Sequence, residues 1–437
     1  MKMLMITAPS SGSGKTLITL GLIRALKKRK IDVCGYKTGP DYIDTSFLGK
    51  ASGKRPGNLD IHLMGVDGIK SAIAMGDGEY GIIEGAMGYF DGIYNTFENS
   101  SFDISKKLDV NAVLVYTPGG EMFSVIPKIK GMVDFEGSKI KGVILNKVTK
   151  AMYILLKEQI EKYVGIKVLG FVEKDSELDI ESRHLGLIQT EELENIEDII
   201  EKASIHIEKS VDIDEIMKLM KVVEVPKFIY PRKRDITVAV AYDKAFSFYY
   251  IENLKLLENT CNVVYFSPLK DKELPSCDLL YLGGGYPEVF KDELSKNKSM
   301  LKSIKTFAED GGYIYGECGG FMYLVRDIEG SEMCNIFKGS STMTNRLQRF
   351  GYINIELLKD CMLGEKGDIL NANEFHKSIT NIDGEEIYRI KKPMGKRSWS
   401  CGYEYKNVLA GYPHIHFFSN MKAFNYLLDN VENNMER

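Results

Sequence analysis

Residues 3–26 read MLMITAPSSGSGKTLITLGLIRAL. An apolar run leads into a turn of small residues closed by Gly-Lys-Thr, and the segment after it carries apolar side chains at helical spacing. A strand, a glycine-rich turn and a helix in that order form the first half of a βαβ unit. The same alternation recurs in DVCGYK, YGIIEGAM, NAVLVYT, KGVILNKV and KVLGFV, so the N-terminal half is expected to build a parallel sheet covered by helices. VPKFIYPRKRD, at 225–235, has two prolines and a basic cluster and reads as a linker. A second series follows in ITVAVAY, CNVVYFSP, CDLLYLGGG and GGYIYGECGG, with YINIEL, EEIYRIKK and NVLAGYPHIHFF at its end. The expected architecture is α/β with two doubly wound domains, at 1–228 and 234–437.

Composition bounds the function. The 437 residues hold 57 basic and 61 acidic side chains, a net charge of -4, so nothing favours nucleic acid. No apolar run reaches membrane-spanning length, and the opening residues lack a signal peptide's apolar core, which predicts a cytoplasmic protein with no membrane partner. The seven cysteines are scattered and form no C-x-x-C pair, against a disulfide framework or a structural zinc site.

The turn APSSGSGKT resembles a phosphate loop, although Pro9 stands where the usual pattern has its first glycine. Backbone N–H groups from Ser11, Gly12, Ser13 and Gly14 would cradle phosphates, Lys15 would reach the β/γ oxygens of ATP, and Thr16 would ligate Mg²⁺. Such a loop takes its second metal ligand from a neighbouring strand end, and Glu84 in YGIIEGAM is the candidate. Asn146 in ILNKV is expected at the adenine edge. YKTGPDYIDTSF places Lys37, Asp41 and Asp44 in one loop, a cation and two acids beside the phosphates; alone, such a loop is as often a solvated turn.

The other chemical stretch is YGECGGFMYL, residues 315–324. A cysteine at a sharp strand-to-helix turn, followed by glycines, is exposed at the sulfur and expected to have a lowered pKa. Cys318 has that setting and is the candidate nucleophile. Attack on an amide makes an oxyanion, for which Gly284 and Gly285 of LGGGYPEVF and the N–H of Gly319 are the donors expected. HIHF at 414–417 could place two imidazoles on one face of a strand, yet no third zinc ligand is local.

SGSGKT, KTGPDYID, GNLD, EGAMGYFDG, SRHLGL, LGGGYPEVF, ECGG and HIHF together, in this order, resemble the cobyrinic acid a,c-diamide synthases. The resemblance spans essentially the whole chain. It implies an ATP-binding domain of the dethiobiotin-synthetase-like branch joined to a class I glutamine amidotransferase-like domain. It implies L-glutamine, ATP and cobyrinic acid or a related tetrapyrrole as substrates, Lys37, Asp41 and Asp44 at the substrate, and a ligase reaction of cobalamin biosynthesis. His414, first of the H-x-H pair, becomes the base that serves Cys318. Many relatives of that class have a glutamate two residues after the histidine, where this chain has His416, so the third triad member stays open. Arg183 and His184 of SRHLGL are implied near substrate carboxylates, while Glu374 and His376 of NEFHKS could order the amidase site or simply pack. Three alternatives remain beside this reading: the same chemistry on nickel-sirohydrochlorin, cobyric acid synthesis, and a nucleotide-binding module without catalysis. A homo-oligomer is compatible with all of them.

Overall fold

The computed structural model describes residues 1–175 and 190–435. The expectation for Arg183 and His184 lies outside them. The described chain forms two compact units, Met1–Ile61 with Val66–Phe228, and His62–Gly65 with Ile229–Arg437.

In the first unit, β1 (Lys2–Thr7), β2 (Val33–Thr38), β3 (Gly57–Leu59), β4 (Tyr80–Glu84), β5 (Ala112–Tyr116), β6 (Ile140–Asn146) and β7 (Lys167–Val172) pair in the order β3-β2-β4-β1-β5-β6-β7. All six pairings are parallel, and β8 (Lys221–Val222) runs antiparallel to β1. The strands are continuous apolar runs because helices cover both faces and leave no side for water. Met3, Leu4, Met5 and Ile6 of β1 are all buried. α1 (Lys15–Lys28) begins after Gly14 in the left-handed region and packs Ile18, Leu22, Ile23 and Leu26 into the core. Because β1 lies between β4 and β5, the chain reverses its strand order there, and the loops leaving neighbouring strands diverge to leave a crevice.

The second unit has its own central sheet. β9 (Thr237–Ala241), β11 (Asn262–Phe266), β12 (Leu279–Leu282), β14 (Tyr313–Glu317) and Val408–Gly411 are parallel, with Tyr403–Tyr405 antiparallel at one edge. A short ribbon of β10 (Phe246–Phe248) and β13 (Gly284–Gly285) stands beside it.

One part departs from the sequence expectation. YINIEL and EEIYRIKK were expected to extend the α/β series, but Arg349–Leu357 and Tyr388–Lys391 join an antiparallel sheet with Ile369–His376, Ser398–Cys401 and His414–Ile415. The segment from 358 to 368 contains no helix, and a parallel return needs a crossover of a dozen or more residues.

Ile314 is fully buried in β14, the strand that leads to Cys318. Ile314→Ala is expected to destabilise the second unit by about 2–5 kcal/mol through the cavity it leaves. Trp399, the single tryptophan, lies in this unit, so its fluorescence during urea unfolding measures the loss.

Candidate active sites

Parallel pairing brings the polar ends of β1, β2 and β4 together, with Ile6 in register with Glu84, and Glu84 with Lys37. Lys15 Nζ donates to the carbonyls of Ser10, at 3.2 Å, and Met87, at 2.5 Å. Burial lowers its pKa to about 8, Lys37 pushes the same way, and Glu84, Asp44 and Asp91 oppose. The Thr16 hydroxyl donates to Glu84 Oε1 at 2.6 Å, and Lys37 Nζ donates to the same oxygen at 2.7 Å and to Asp44 Oδ2 at 2.9 Å. Burial disfavours the Lys37 ammonium, but Asp44, Glu84 and Asp41 outweigh it and raise its pKa above the usual range. Asp41 Oδ1 accepts from the backbone N–H groups of Ile43 and Asp44 and so opens α2 (Ile43–Ser52). Burial lifts Asp41 to about 6 and the neighbouring Asp44 charge adds to this, while Lys37 holds it down.

These residues fit a magnesium ion on one observation. Glu84 is fully buried, and its Oε2 has no hydrogen-bond partner among the described residues, an arrangement costly for a carboxylate unless a cation or donor arrives. Thr16, hydrogen-bonded to the other Glu84 oxygen, supplies the second ligand type of a phosphate-loop site.

Asn146, expected at the adenine edge, is 2% exposed. Its amide nitrogen is occupied by the Ser13 carbonyl, at 3.0 Å, and the Thr117 hydroxyl, at 3.3 Å. Thr117 also donates to Ser13 O, at 3.1 Å. Both side chains tie the loop to β5 and β6. Thr117 was missed because it ends NAVLVYT as one unremarkable hydroxyl.

In the second unit Cys318 stands between β14 and the helical turn Gly319–Leu324, with φ 49° and ψ -102°. That is left-handed backbone for a non-glycine residue, the strained geometry of a nucleophile elbow. The surroundings enforce it. Cys318 N–H donates to Gly411 O at 2.8 Å, Met322 N–H to Cys318 O at 3.0 Å and Gly320 N–H to Gly283 O at 2.9 Å. A Cβ on Gly320 would lie 2.2 Å from the Leu282 carbonyl oxygen, so only glycine lets the turn sit this close to β12.

The candidate oxyanion donors gather at the same turn. A Cβ on Gly319 would lie 3.0 Å from Gly285 N, and one on Gly284 would lie 2.4 Å from His414 Cε1. His414 and Glu317 are each 2% exposed, and His414 Nδ1 lies 3.9 Å from Glu317 Oε2. His416 follows the strand with extended backbone but has partners of its own. It caps the turn after it: Nδ1 accepts from Phe418 N–H at 3.2 Å, Nε2 lies 3.6 Å from Glu252, and the ring packs on Tyr250. Glu317 was missed in the sequence, where an acid ending an apolar strand was the available signal. His376 stacks on Tyr412 with ring centroids 3.6 Å apart, and its Nδ1 pairs with Ser378 O at 2.9 Å.

The electrostatics reverse one expectation. Burial raises the Cys318 thiol well above its usual range, and Glu288, Glu374 and Glu317 add to the rise, against the opposing N–H of Gly319. A thiolate here would be surrounded by carboxylates, so the turn alone does not ionise the sulfur. Burial also pushes His414 down to about 3, with His376 adding to it, and lifts Glu317 to about 7. Burial thus favours a neutral thiol at Cys318 and a neutral imidazole at His414. Such a pair works by proton transfer during attack.

Two family models divide the chain in the same way. Residues 4–188 match the CobQ/CobB/MinD/ParA nucleotide binding domain, and residues 237–422 match the CobB/CobQ-like glutamine amidotransferase domain. The chain is thus built as a phosphate-loop synthetase joined to a glutamine amidotransferase. It is 47% identical to a cobyrinate a,c-diamide synthase of Clostridium acetobutylicum, over 98% of this chain and 100% of that one. The same name belongs to relatives from Clostridium tetani, 44% identical over 98% of this chain and 100% of that one, and Methanocaldococcus jannaschii, 40% identical over 96% and 97%. The chain belongs to the cobyrinate a,c-diamide synthase family. Among the described residues no helix is long and apolar enough to cross a membrane.

Two predictions follow from the geometry. Gly284→Ala drives a methyl group into the His414 ring, so glutamine hydrolysis is expected to fall about 100-fold, the cost of displacing a reacting group by an ångström. Synthesis from added ammonium should be unchanged, and comparing the two rates checks it. A phosphate-holding Lys15 would act as the ammonium, and burial puts its pKa without phosphate at about 8. The dissociation constant is therefore expected to rise as pH climbs through 8, to about tenfold weaker binding at pH 9 than at pH 7, measured by calorimetry.

Proposed function

We propose that this protein amidates the a and c acetate carboxylates of cobyrinic acid, using ATP and glutamine, in the cytoplasm. The observation that carries the reading is that one chain joins a strained cysteine elbow, whose preceding acid Glu317 lies 3.9 Å from His414, to a phosphate loop whose Thr16 meets a buried acid. The first arrangement suits release of ammonia from an amide, and the second suits activation of a carboxylate by ATP.

In the amidase half-reaction Cys318 Sγ attacks the side-chain carbonyl of glutamine while His414 accepts the thiol proton. N–H groups of Gly319 and the Gly284–Gly285 strand stabilise the oxyanion. His414 returns the proton to the departing nitrogen, ammonia leaves, and water then hydrolyses the glutamyl thioester to glutamate.

In the synthetase half-reaction the γ-phosphoryl group passes from ATP to a substrate carboxylate, and ammonia displaces phosphate from the acyl phosphate to give the amide. Lys15 holds the phosphate oxygens. Thr16 and Glu84 would hold Mg²⁺, which supplies charge neutralisation on the phosphates when bound. Lys37 sits between Glu84 and Asp44, so it can face a carboxylate that reaches this loop while Asp41 keeps the helix start in place.

The test is product mass after incubation with ATP and glutamine, offering cobyrinic acid and nickel-sirohydrochlorin in parallel. Two amides gained on the corrin are expected, and selective turnover of the nickel compound would overturn the substrate while leaving the chemistry. Cys318→Ser is expected to abolish glutamine-driven amidation and retain the ammonium-driven reaction. Glutamine-driven synthesis at the wild-type rate in that variant would remove Cys318 from the mechanism.

A further inference from the structure

We propose that Glu317 is the positioning carboxylate of the amidase site, accepting a hydrogen bond from the Nδ1–H of His414 so that Nε2 is the nitrogen that takes the thiol proton of Cys318. The proposal rests on the amidase reading above. It assigns the third role to the residue immediately before the nucleophile, in place of the position two residues after the histidine.

The argument starts from how Glu317 is held. It ends β14, on the same face as Tyr315, because alternate side chains of a strand share a face. Oε1 accepts from the Tyr315 hydroxyl at 2.8 Å and from the Ile415 N–H at 3.0 Å, and Oε2 accepts from the Tyr281 hydroxyl at 3.1 Å. A buried carboxylate with three donors has one orientation. One donor belongs to Ile415, next to His414, so the same acid fixes the histidine's backbone and faces its ring.

Oε2 lies 3.9 Å from Nδ1. Contacts of this kind are commonly long before substrate binds and tighten in the complex. A neutral imidazole carries one N–H, and an acceptor at Nδ1 selects the tautomer with that nitrogen protonated. Nε2 then keeps its lone pair.

His416 cannot take the role. Its Nδ1 accepts from Phe418 N–H, and its Nε2 faces Glu252. Asn253 reinforces the separation by bonding Ile415 O and Phe417 N–H, each at 2.8 Å, which pins the backbone on both sides of His416.

Glu317→Gln tests the inference. The amide oxygen still accepts, but an NH₂ facing Nδ1 favours the other tautomer, with Nε2 protonated and unable to act as base. The glutaminase kcat is expected to fall about 100-fold or more, as in triads whose acid is neutralised. KM for glutamine and ammonium-driven amidation should stay within about twofold of wild type, since neither uses the tautomer. In protein labelled with ¹⁵N at histidine, the signals lost in His414→Asn should report Nδ1–H in the wild type and Nε2–H in Glu317→Gln. A kcat within about threefold of wild type, or a fall in kcat without the tautomer change, overturns the proposal. If Glu317→Gln fails to fold, the wild-type spectrum decides alone, and His414 protonated only at Nε2 overturns it. Glutamine-driven synthesis surviving in Cys318→Ser would instead remove the amidase reading, a failure distinct from an active Glu317→Gln beside an inert Cys318→Ser.

Discussion

Parallel pairing of strands is the constraint from which both sites follow. It sends every carboxyl end of a sheet to one edge, and each exit there must turn sharply into a connection that runs back along a face. β1 leaves into the phosphate loop, β2 delivers Lys37 and β4 delivers Glu84. In the second sheet β12 leaves into the glycine run, β14 ends at Glu317 with Cys318 next, and Val408–Gly411 leads through Tyr412 to His414. Residues far apart in sequence meet because their strands are neighbours, and no local motif has to bring them together.

How much of this could be read from residues alone depended on the range of the physics involved. The phosphate loop was legible because its chemistry is local: strand, small residues, lysine, hydroxyl and helix occupy consecutive positions. Cys318 was legible for the same reason, since the glycines that allow its conformation follow it directly. The contacts of Asn146 were not legible because its partner, the Ser13 carbonyl, is set by the β1-β5-β6 neighbourhood and by no feature of ILNKV. The partners of His416 were not legible either, because Glu252 and Tyr250 come from a distant segment and Phe418 N–H from the turn it caps. The antiparallel sheet after 349 was hidden because half-buried strands look alike until the lengths of their connections are weighed.

Buried charge is handled differently in the two units. The first collects Lys15, Lys37, Asp41, Asp44 and Glu84 at neighbouring strand ends, where carboxylates offset the desolvation of Lys37 in full and that of Lys15 only in part. Lys37 holds two acids at once, and its pKa goes up; Lys15 is left with backbone carbonyls and comes down to about 8, poised for an anion that restores its charge. This is the pattern of a site awaiting phosphates.

The amidase centre takes the opposite course. Burial first, and then Glu288, Glu374 and Glu317, keep the proton on Cys318. A preformed thiolate would gain reactivity toward any electrophile; burial disfavours one here, so the proposed attack couples ionisation to the arrival of an amide carbonyl. In the proposed reaction the proton moves to the imidazole of His414, which burial holds neutral. Once it becomes an imidazolium, Glu317, with Oε2 3.9 Å from Nδ1, is stabilised as that charge appears. Stabilisation that arises only when charge is transferred lowers the barrier without tightening the resting state, so the acids that oppose the thiolate and the acid that favours the imidazolium serve one step.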